Sequence, residues 1–109
     1  MPHLRLFAVT DSVAETLSET LLPELAEITQ TPVEEYSIQL IQGQFFQAGQ
    51  KSNGNPQVEV LWFERNLHVQ NKCAKAITNA LLAYYSDVDI QVAFTNIGQK
   101  QYYINGDHF

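Results

Sequence analysis

The chain alternates between two hydrophobic patterns, one typical of strands and one typical of helices. Apolar and polar residues alternate over residues 3–9, which predicts a strand with one buried face. Residues 36–41 predict a second strand of the same kind. Between these strands, apolar residues recur every three or four positions, as they do in an amphipathic helix. The apolar positions of this helix are Val13, Leu17, Leu21, Leu25 and Ile28.

Two local signals bear on the start and the shape of this first helix. Ser12 and Glu15 have the spacing of a capping box, which places the start of the helix at Ser12. Pro23 lies inside the apolar stripe and is expected to kink the helix, because proline removes one backbone hydrogen bond and crowds the preceding turn.

The second half of the chain repeats the order of strand, helix and strand. Pro56 follows Pro2 by 54 residues, and residues 58–62 alternate as residues 4–8 do. A second amphipathic helix is predicted next from the same three- and four-residue spacing. Its apolar positions are Val69, Cys73, Ile77, Ala80, Leu81 and Tyr84.

The end of each half also has a counterpart in the other. Residues 88–94 predict the last strand, and residues 89–92 within it resemble residues 37–40 of the first half. The tails match as well, because residues 45–49 and residues 102–106 both place two aromatic residues shortly before a glycine. Self-similarity over a whole chain is a strong signal of a repeated structural unit.

The repeat predicts one domain over residues 1–109, built from two β-α-β units at residues 1–50 and 55–109. Each unit is expected to be a right-handed crossover between parallel strands. The predicted fold is therefore a two-layer α+β fold, with a four-stranded sheet and both helices on one face. The alternative is a ferredoxin-like sandwich or a dimeric α+β barrel, because the same order of strands and helices fits both.

This architecture leaves one face of the sheet uncovered. Strand alternation points Phe7, Leu61 and Phe63 to that face, which makes it too apolar to remain in water. We therefore predict an oligomer that associates through its sheets. Arg5 and Glu59 occupy matching positions of the two repeats on the same face, where they are able to pair.

Composition and charge exclude several kinds of partner. The net charge is −6 and the six Lys and Arg residues are scattered, which argues against binding to nucleic acid. No apolar run is long enough to cross a membrane. The single cysteine, Cys73, excludes an internal disulfide and predicts a cytoplasmic location. Three dispersed histidines lack the spacing of metal ligands, so no metal or cofactor is expected.

Pro2 is the residue with the most distinctive chemistry. Removal of Met1, which a small second residue favours, would make the secondary amine of Pro2 the N-terminus. An N-terminal amine is able to act as a base near neutral pH, because its pKa lies far below that of lysine. The plainer alternative is that Pro2 only starts the strand, as Pro56 does in the second half.

The leading proline and the duplicated unit together resemble the tautomerase superfamily, which includes 4-oxalocrotonate tautomerase and macrophage migration inhibitory factor. Within it, the chain is similar to a family of small proteins of this length labelled DUF1904. Three segments carry this resemblance: the opening residues 2–5, the central residues 58–63 and the closing residues 102–109.

The resemblance implies a homotrimer with a pocket at each proline near a subunit boundary. Pro2 then moves protons, and Arg65 binds the carboxylate of a small anionic substrate through its fork of donors. Gln39 stands where 4-oxalocrotonate tautomerase has a strand arginine, so it offers a hydrogen bond without a charge. Tyr102 and Tyr103 match an aromatic residue near the proline, and Tyr103 is the predicted substrate contact.

Two functions follow from this resemblance. The first is keto–enol tautomerisation, or a related lyase reaction, of a small 2-keto or enol acid, with Pro2 as the acid or base. The second is a non-catalytic trimer that binds a small ligand or a protein partner, which the missing strand arginine favours.

Overall fold

The computed structural model describes residues 1–109 and contains eight strands and two helices. The elements in chain order are β1 His3–Phe7, α1 Asp11–Thr29, β2 Ser37–Ile41, β3 Phe45–Gln47, β4 Gln50–Ser52, β5 Gln57–Phe63, α2 Leu67–Leu82, β6 Gln91–Ile97, β7 Tyr103–Ile104 and β8 Asp107–His108. Two short 3-10 turns, Val33–Glu35 and Gln99–Gln101, precede β2 and β7.

The main sheet has four strands in the order β2-β1-β5-β6. Strands β1 and β2 run parallel, as do β5 and β6, so that each half of the chain forms the predicted β-α-β unit. The two units meet where β1 pairs antiparallel with β5. Adjacent parallel strands within each unit rule out the ferredoxin-like alternative, and the predicted α+β architecture is confirmed.

A local two-fold axis relates the two units. Arg5 lies opposite Glu59 in the β1–β5 ladder, and these residues are also each other's counterparts in the 54-residue repeat. A residue that pairs with its own counterpart marks the position of the axis. The same offset relates the register pairs His3–Ser37 of the first unit and Gln57–Gln91 of the second.

The core lies between the helices and one face of the sheet. Leu4 and Leu6 of β1 and Val58, Val60 and Trp62 of β5 are at most 3% exposed. Both helices present buried apolar residues to this face, and Cys73 is among them. Burial of side chains of this size supplies the main favourable term in folding, since each contributes about 1.5–3 kcal/mol.

Each unit ends in a small hairpin outside the main sheet. Strands β3 and β4 are joined by Ala48 and Gly49, and strands β7 and β8 are joined by Asn105 and Gly106. All four turn residues have positive φ angles, between 52° and 88°, as a type I′ hairpin turn requires. The two tails that match in sequence therefore form the same local structure.

The structure corrects three predicted boundaries. The last strand spans Gln91–Ile97 rather than 88–94, because Gln91 is the first residue to pair with β5. Helix α1 is capped by the Thr10 hydroxyl, which accepts from the Val13 amide, so the capping box at Ser12 and Glu15 was wrong by two residues. Helix α2 ends at Leu82, which leaves Tyr84 outside it.

Pro23 lies within α1, which continues from Asp11 to Thr29. The pyrrolidine ring is on the exposed side of the helix, while Leu21, Leu22 and Leu25 around it are buried. The packing of these neighbours against the sheet holds the helix together across the missing backbone hydrogen bond.

The face of the sheet opposite the helices is partly exposed. Phe7, Leu61 and Phe63 are neither buried nor fully exposed, whereas Arg5 is exposed. The hairpins add exposed apolar side chains, since Phe46 is 65% exposed and Tyr103 is 57% exposed. No helix has the length and hydropathy that a membrane crossing requires.

Candidate functional site

The candidate site lies at the end of the sheet where β1 and β2 begin and β5 and β6 finish. Pro2 directly precedes β1, and its ring is less than 2% exposed. The ring faces the core, where it contacts a small internal void of about 10 Å³ together with Tyr36, Trp62 and Cys73. Strand alternation explains this position, because residue 2 has the same orientation as the buried Leu4.

A surface cleft of about 210 Å³ lies beside Pro2. Pro2 and Met1 form one wall, and Met1 itself is only 9% exposed. The cleft is lined by Met1, Pro2, His3, Glu35, Ser37, Leu61 and Tyr102. Four of these residues are able to donate or accept hydrogen bonds through their side chains, so the cleft suits a small polar ligand.

His3 and Ser37 are hydrogen-bonded to each other within this cleft. The His3 Nδ1 atom lies 2.5 Å from the Ser37 hydroxyl oxygen, and the two residues are register partners on parallel strands. The other ring nitrogen of His3 lies 3.4 Å from the Gln39 side-chain oxygen. Gln39 is therefore connected to the cleft through His3, on the exposed face of the sheet.

Arg65 lies beyond Trp62, behind the core side of Pro2. Its guanidinium donates to the Phe63 carbonyl at 2.5 Å and to the Thr31 hydroxyl at 3.0 Å. The guanidinium carbon also lies 5.3 Å from the centre of the Trp62 ring, within the range of a cation–π contact. None of these partners carries a charge, so the positive charge of Arg65 remains available to an anion.

A short hydrogen-bond chain fixes the indole beneath Arg65. The Trp62 Nε1 atom donates to the Asn96 side-chain oxygen at 2.8 Å. The Asn96 amide nitrogen in turn donates to the Glu64 carboxylate at 3.4 Å. Asn96 therefore restricts the rotation of the ring on which the guanidinium rests, which keeps the cation at this end of the sheet.

Two buried titratable groups lie close to Arg65. Burial raises the pKa of the Tyr36 phenol, although its hydrogen bond with Thr29 acts in the opposite direction. Burial likewise raises the pKa of the Cys73 thiol to about 11, with the nearby Arg65 charge opposing the increase. Both groups are neutral near pH 7, and the Tyr36 hydroxyl donates to the Leu25 carbonyl at 3.1 Å.

The closing hairpin separates two neighbouring tyrosines. Tyr102 lines the cleft beside Pro2 and packs edge-on against Phe63, with ring centres 5.7 Å apart. Phe109 packs against both of these rings. Tyr103, by contrast, points to the exposed side of the hairpin, where it contacts His108.

Of the residues predicted from the sequence, the structure places Pro2 in the cleft and connects Gln39 to it through His3. Arg65 lies next to the core around Pro2 without lining the cleft, and Tyr103 lies apart from it. Sequence reasoning missed the pairing of His3 with Ser37. The available signal was that both residues begin parallel strands in neighbouring positions of one unit.

The opposite end of the sheet provides an internal comparison. A wider cleft of about 650 Å³ there includes Pro56, the counterpart of Pro2. The position equivalent to Arg65 is occupied by Asp11, whose carboxylate accepts from Gln42 at 3.1 Å. The two ends of the sheet therefore share a fold but differ in the charge of the residue at this one equivalent position. No group of three or more His, Cys, Asp or Glu side chains is arranged to hold a metal ion.

Solved structures with the same architecture define the class of fold. A macrophage migration inhibitory factor-like protein from Entamoeba histolytica is 12% identical over 99% of this chain and 98% of that chain, with a TM-score of 0.77. A fused 4-OT protein, an asymmetric trimer, is 14% identical over 97% of this chain and 94% of that chain, with a TM-score of 0.82. The chain thus has the tautomerase-type fold of these proteins.

The chain belongs to the DUF1904 family, a domain of unknown function whose family model matches residues 1–108. A DUF1904 structure from Sebaldella termitidis is 27% identical, covers all of both chains and gives a TM-score of 0.94. No curated protein sequence matches the chain significantly. The predicted relation to DUF1904 is confirmed, and the predicted resemblance to the tautomerase superfamily is confirmed for the fold.

Proposed function

We propose that the protein is a tautomerase, or a related lyase, that acts on a small 2-keto or enol acid. Pro2 is the group that moves a proton to or from the substrate carbon, after removal of Met1. The observation that carries this proposal is the position of Pro2 in the wall of a polar cleft, one layer away from an arginine with only neutral partners.

The surroundings of Pro2 shift the pKa of its amine toward neutral pH, where the group is able to act as an acid or as a base. A free α-amino group titrates at a pH of about 8 in peptides, and burial against apolar groups lowers that pKa because it disfavours the charged form. The Pro2 ring packs beside Leu4, Trp62 and Cys73. Removal of Met1, which is itself nearly buried, would also open space in the cleft next to the new amine.

Arg65 and Gln39 supply the remaining interactions with the substrate. Arg65 attracts the carboxylate, since its hydrogen bonds to Thr31 and Phe63 leave part of its donor fork free. Gln39 donates a hydrogen bond to the developing enolate oxygen, without the charge that an arginine would bring. Tyr103 contacts the substrate from the closing hairpin of a neighbouring subunit, because within its own subunit it lies on the exposed side.

The protein acts as a homotrimer in the cytoplasm. His3, Ser37 and Leu61 of the cleft belong to the face of the sheet that the helices leave uncovered, so a second copy placed there would complete the site. The exposed Phe46 and Tyr103 side chains favour such contacts. The fused 4-OT protein with the same fold is a trimer, and the single buried cysteine suits a reducing compartment.

The test starts with the intact mass of untagged protein, followed by light scattering to count subunits. Protein lacking Met1 is then assayed for conversion of the enol form of phenylpyruvate, whose absorbance reports the reaction. Pro2→Ala should lower kcat by up to about 100-fold, because the N-terminal alanine keeps a primary amine but loses the secondary amine and the rigid ring of proline. Arg65→Gln should raise KM, whereas Lys75→Gln, which also removes one positive charge but from an exposed helix position, should change neither constant.

A second function is supported by the uncharged Gln39 at the position of the strand arginine. In this case the protein is a non-catalytic trimer that binds a small anion or a protein partner. Titration with phenylpyruvate, followed by amide NMR shifts, separates the two functions. Binding that Pro2→Ala leaves unchanged, together with no enol conversion by the parent, would select the binding protein and reject the enzyme.

A further inference from the structure

The hydrogen bond between His3 and Ser37 lies in the cleft that Pro2 lines, and the proposed roles of Pro2, Arg65 and Gln39 do not use it. The Ser37 hydroxyl is 2.5 Å from His3 Nδ1, and both side chains reach the cleft. A hydroxyl that is hydrogen-bonded to an imidazole is able to pass a proton, because histidine changes its charge near neutral pH.

The third member of the chain, Gln39, sets the direction in which a proton moves. The tautomer with a hydrogen on His3 Nε2 satisfies both contacts of the ring, because the Gln39 side-chain oxygen, 3.4 Å from Nε2, is only an acceptor. In the neutral imidazole the other nitrogen, Nδ1, is then the acceptor. The Ser37 hydroxyl therefore donates to Nδ1, and the serine oxygen is left to accept a proton from a bound molecule.

We propose that His3 and Ser37 form a proton relay that takes the proton from the oxygen atom of the substrate, while Pro2 gives a proton to the carbon atom. This inference rests on the proposed tautomerase function and adds a second acid–base group to it. Conversion of an enol into a ketone moves two protons, one off the oxygen and one onto the carbon. The cleft holds a group suited to each, because Pro2, His3 and Ser37 all line it.

The transfer balances without any further reactant. The enol O–H proton passes to the Ser37 oxygen while the Ser37 proton passes to His3 Nδ1, which makes His3 an imidazolium. The electron pair of the O–H bond becomes the carbonyl π bond, and the C=C pair takes the proton of the protonated Pro2 amine. The proton on His3 then returns to Pro2 through solvent, which restores both groups.

In this arrangement Gln39 is a positioning residue. It holds the His3 ring in the tautomer that leaves Nδ1 free to accept. The relay also provides an uncharged substitute for the strand arginine, since a proton transferred at the oxygen removes the charge that an arginine would otherwise stabilise. The equivalent positions at the other end of the sheet hold Gln57 and Gln91, neither of which is able to carry a proton near neutral pH.

The relay is tested in Met1-processed protein with the enol form of phenylpyruvate as the probe. Four variants are compared with the parent: Ser37→Ala, His3→Ala, the double variant, and Gln91→Ala as the matched control from the same sheet face. Urea unfolding of each variant verifies that the fold is retained. Added imidazole is included because it is able to enter the cavity left by His3→Ala and take over the proton transfer. If His3 had a purely structural role, imidazole would not restore the rate of this variant.

The relay predicts that each single variant lowers kcat by about 100-fold with little change in KM. It also predicts that the double variant is no worse than either single one, since both remove the same pathway. Imidazole should restore part of the rate of His3→Ala and none of the rate of Ser37→Ala. Gln91→Ala should match the parent.

Two results would overturn the relay, and they are distinguishable. If the parent is active and Pro2→Ala is not, but Ser37→Ala and His3→Ala keep the parental kcat, the relay is wrong and the proposed function stands. If the parent does not accelerate the reaction at all, the proposed function fails and the relay fails with it.

Discussion

Raising the pH from 8 to 10 should destabilise the protein through the Cys73 thiol. The side chain is 2% exposed, and its burial raises the pKa from 9.0 to about 11. Between these values the folded chain keeps the thiol proton while the unfolded chain releases it. The free energy of unfolding therefore falls as the pH rises above 9, because the folded state binds more protons than the unfolded state.

The size of the effect follows from the two pKa values. The stabilising contribution is fully present below pH 9 and is lost as the pH rises through 11. Linkage gives a loss on the order of 1 kcal/mol at pH 10 and on the order of 2 kcal/mol at pH 11. Burial raises the pKa of the thiol, and the smaller effect of the Arg65 charge lowers it.

Urea unfolding of the parent and of Cys73→Ala at pH 8, 9 and 10 measures this contribution. At pH 8 the variant should be less stable by about 1 kcal/mol, because a small cavity replaces the sulfur atom. Between pH 8 and 10 the parent should lose roughly 1 kcal/mol more than the variant. Equal losses in the two proteins would refute the reasoning.

Three further changes test other features of the structure by urea unfolding. Trp62→Phe removes the bond to Asn96 and part of a fully buried ring, which should cost about 1–3 kcal/mol, and a cost below 0.5 would contradict this packing. Ala48→Asn should stabilise by about 0.5 kcal/mol, because asparagine tolerates the positive φ of this turn, whereas a loss would argue against the type I′ turn. Gly54→Ala should destabilise by about 1–3 kcal/mol, since the new Cβ would lie 2.7 Å from the Phe45 ring at a φ of +68°, and an unchanged midpoint would contradict that contact.

The architecture could be predicted from the sequence because the two halves repeat one pattern. Alternation identified β1 and β5, and the three- and four-residue spacing identified both helices. The last strand was placed too early because residues 89–92 resemble residues 37–40, a similarity that implies an offset of 52. The backbone pairing instead keeps the offset of 54, since Gln91 lies opposite Gln57 as Ser37 lies opposite His3.

The candidate site was less accessible to sequence reasoning. Pro2 stood out by its position, but the role of Tyr102 depends on which side of a short hairpin faces the sheet. The pairing of His3 with Ser37 depends on the register between two strands that are separated by a whole helix. Neither orientation nor register follows from composition or periodicity, because both are set by packing between distant segments.

The pairing of Arg5 with Glu59 on the local axis favours association of the first half of the chain with the second half over association of two identical halves. If two copies of the first half paired through β1 in the same register, two arginines would face each other, and two copies of the second half would bring two glutamates together. Like charges directly opposite on a sheet are destabilising, whereas the native arrangement sets opposite charges side by side. A chain nicked in the loop at residues 53–56 should therefore reassemble as a mixed pair of fragments, with charge at one cross-strand position selecting the unlike partner.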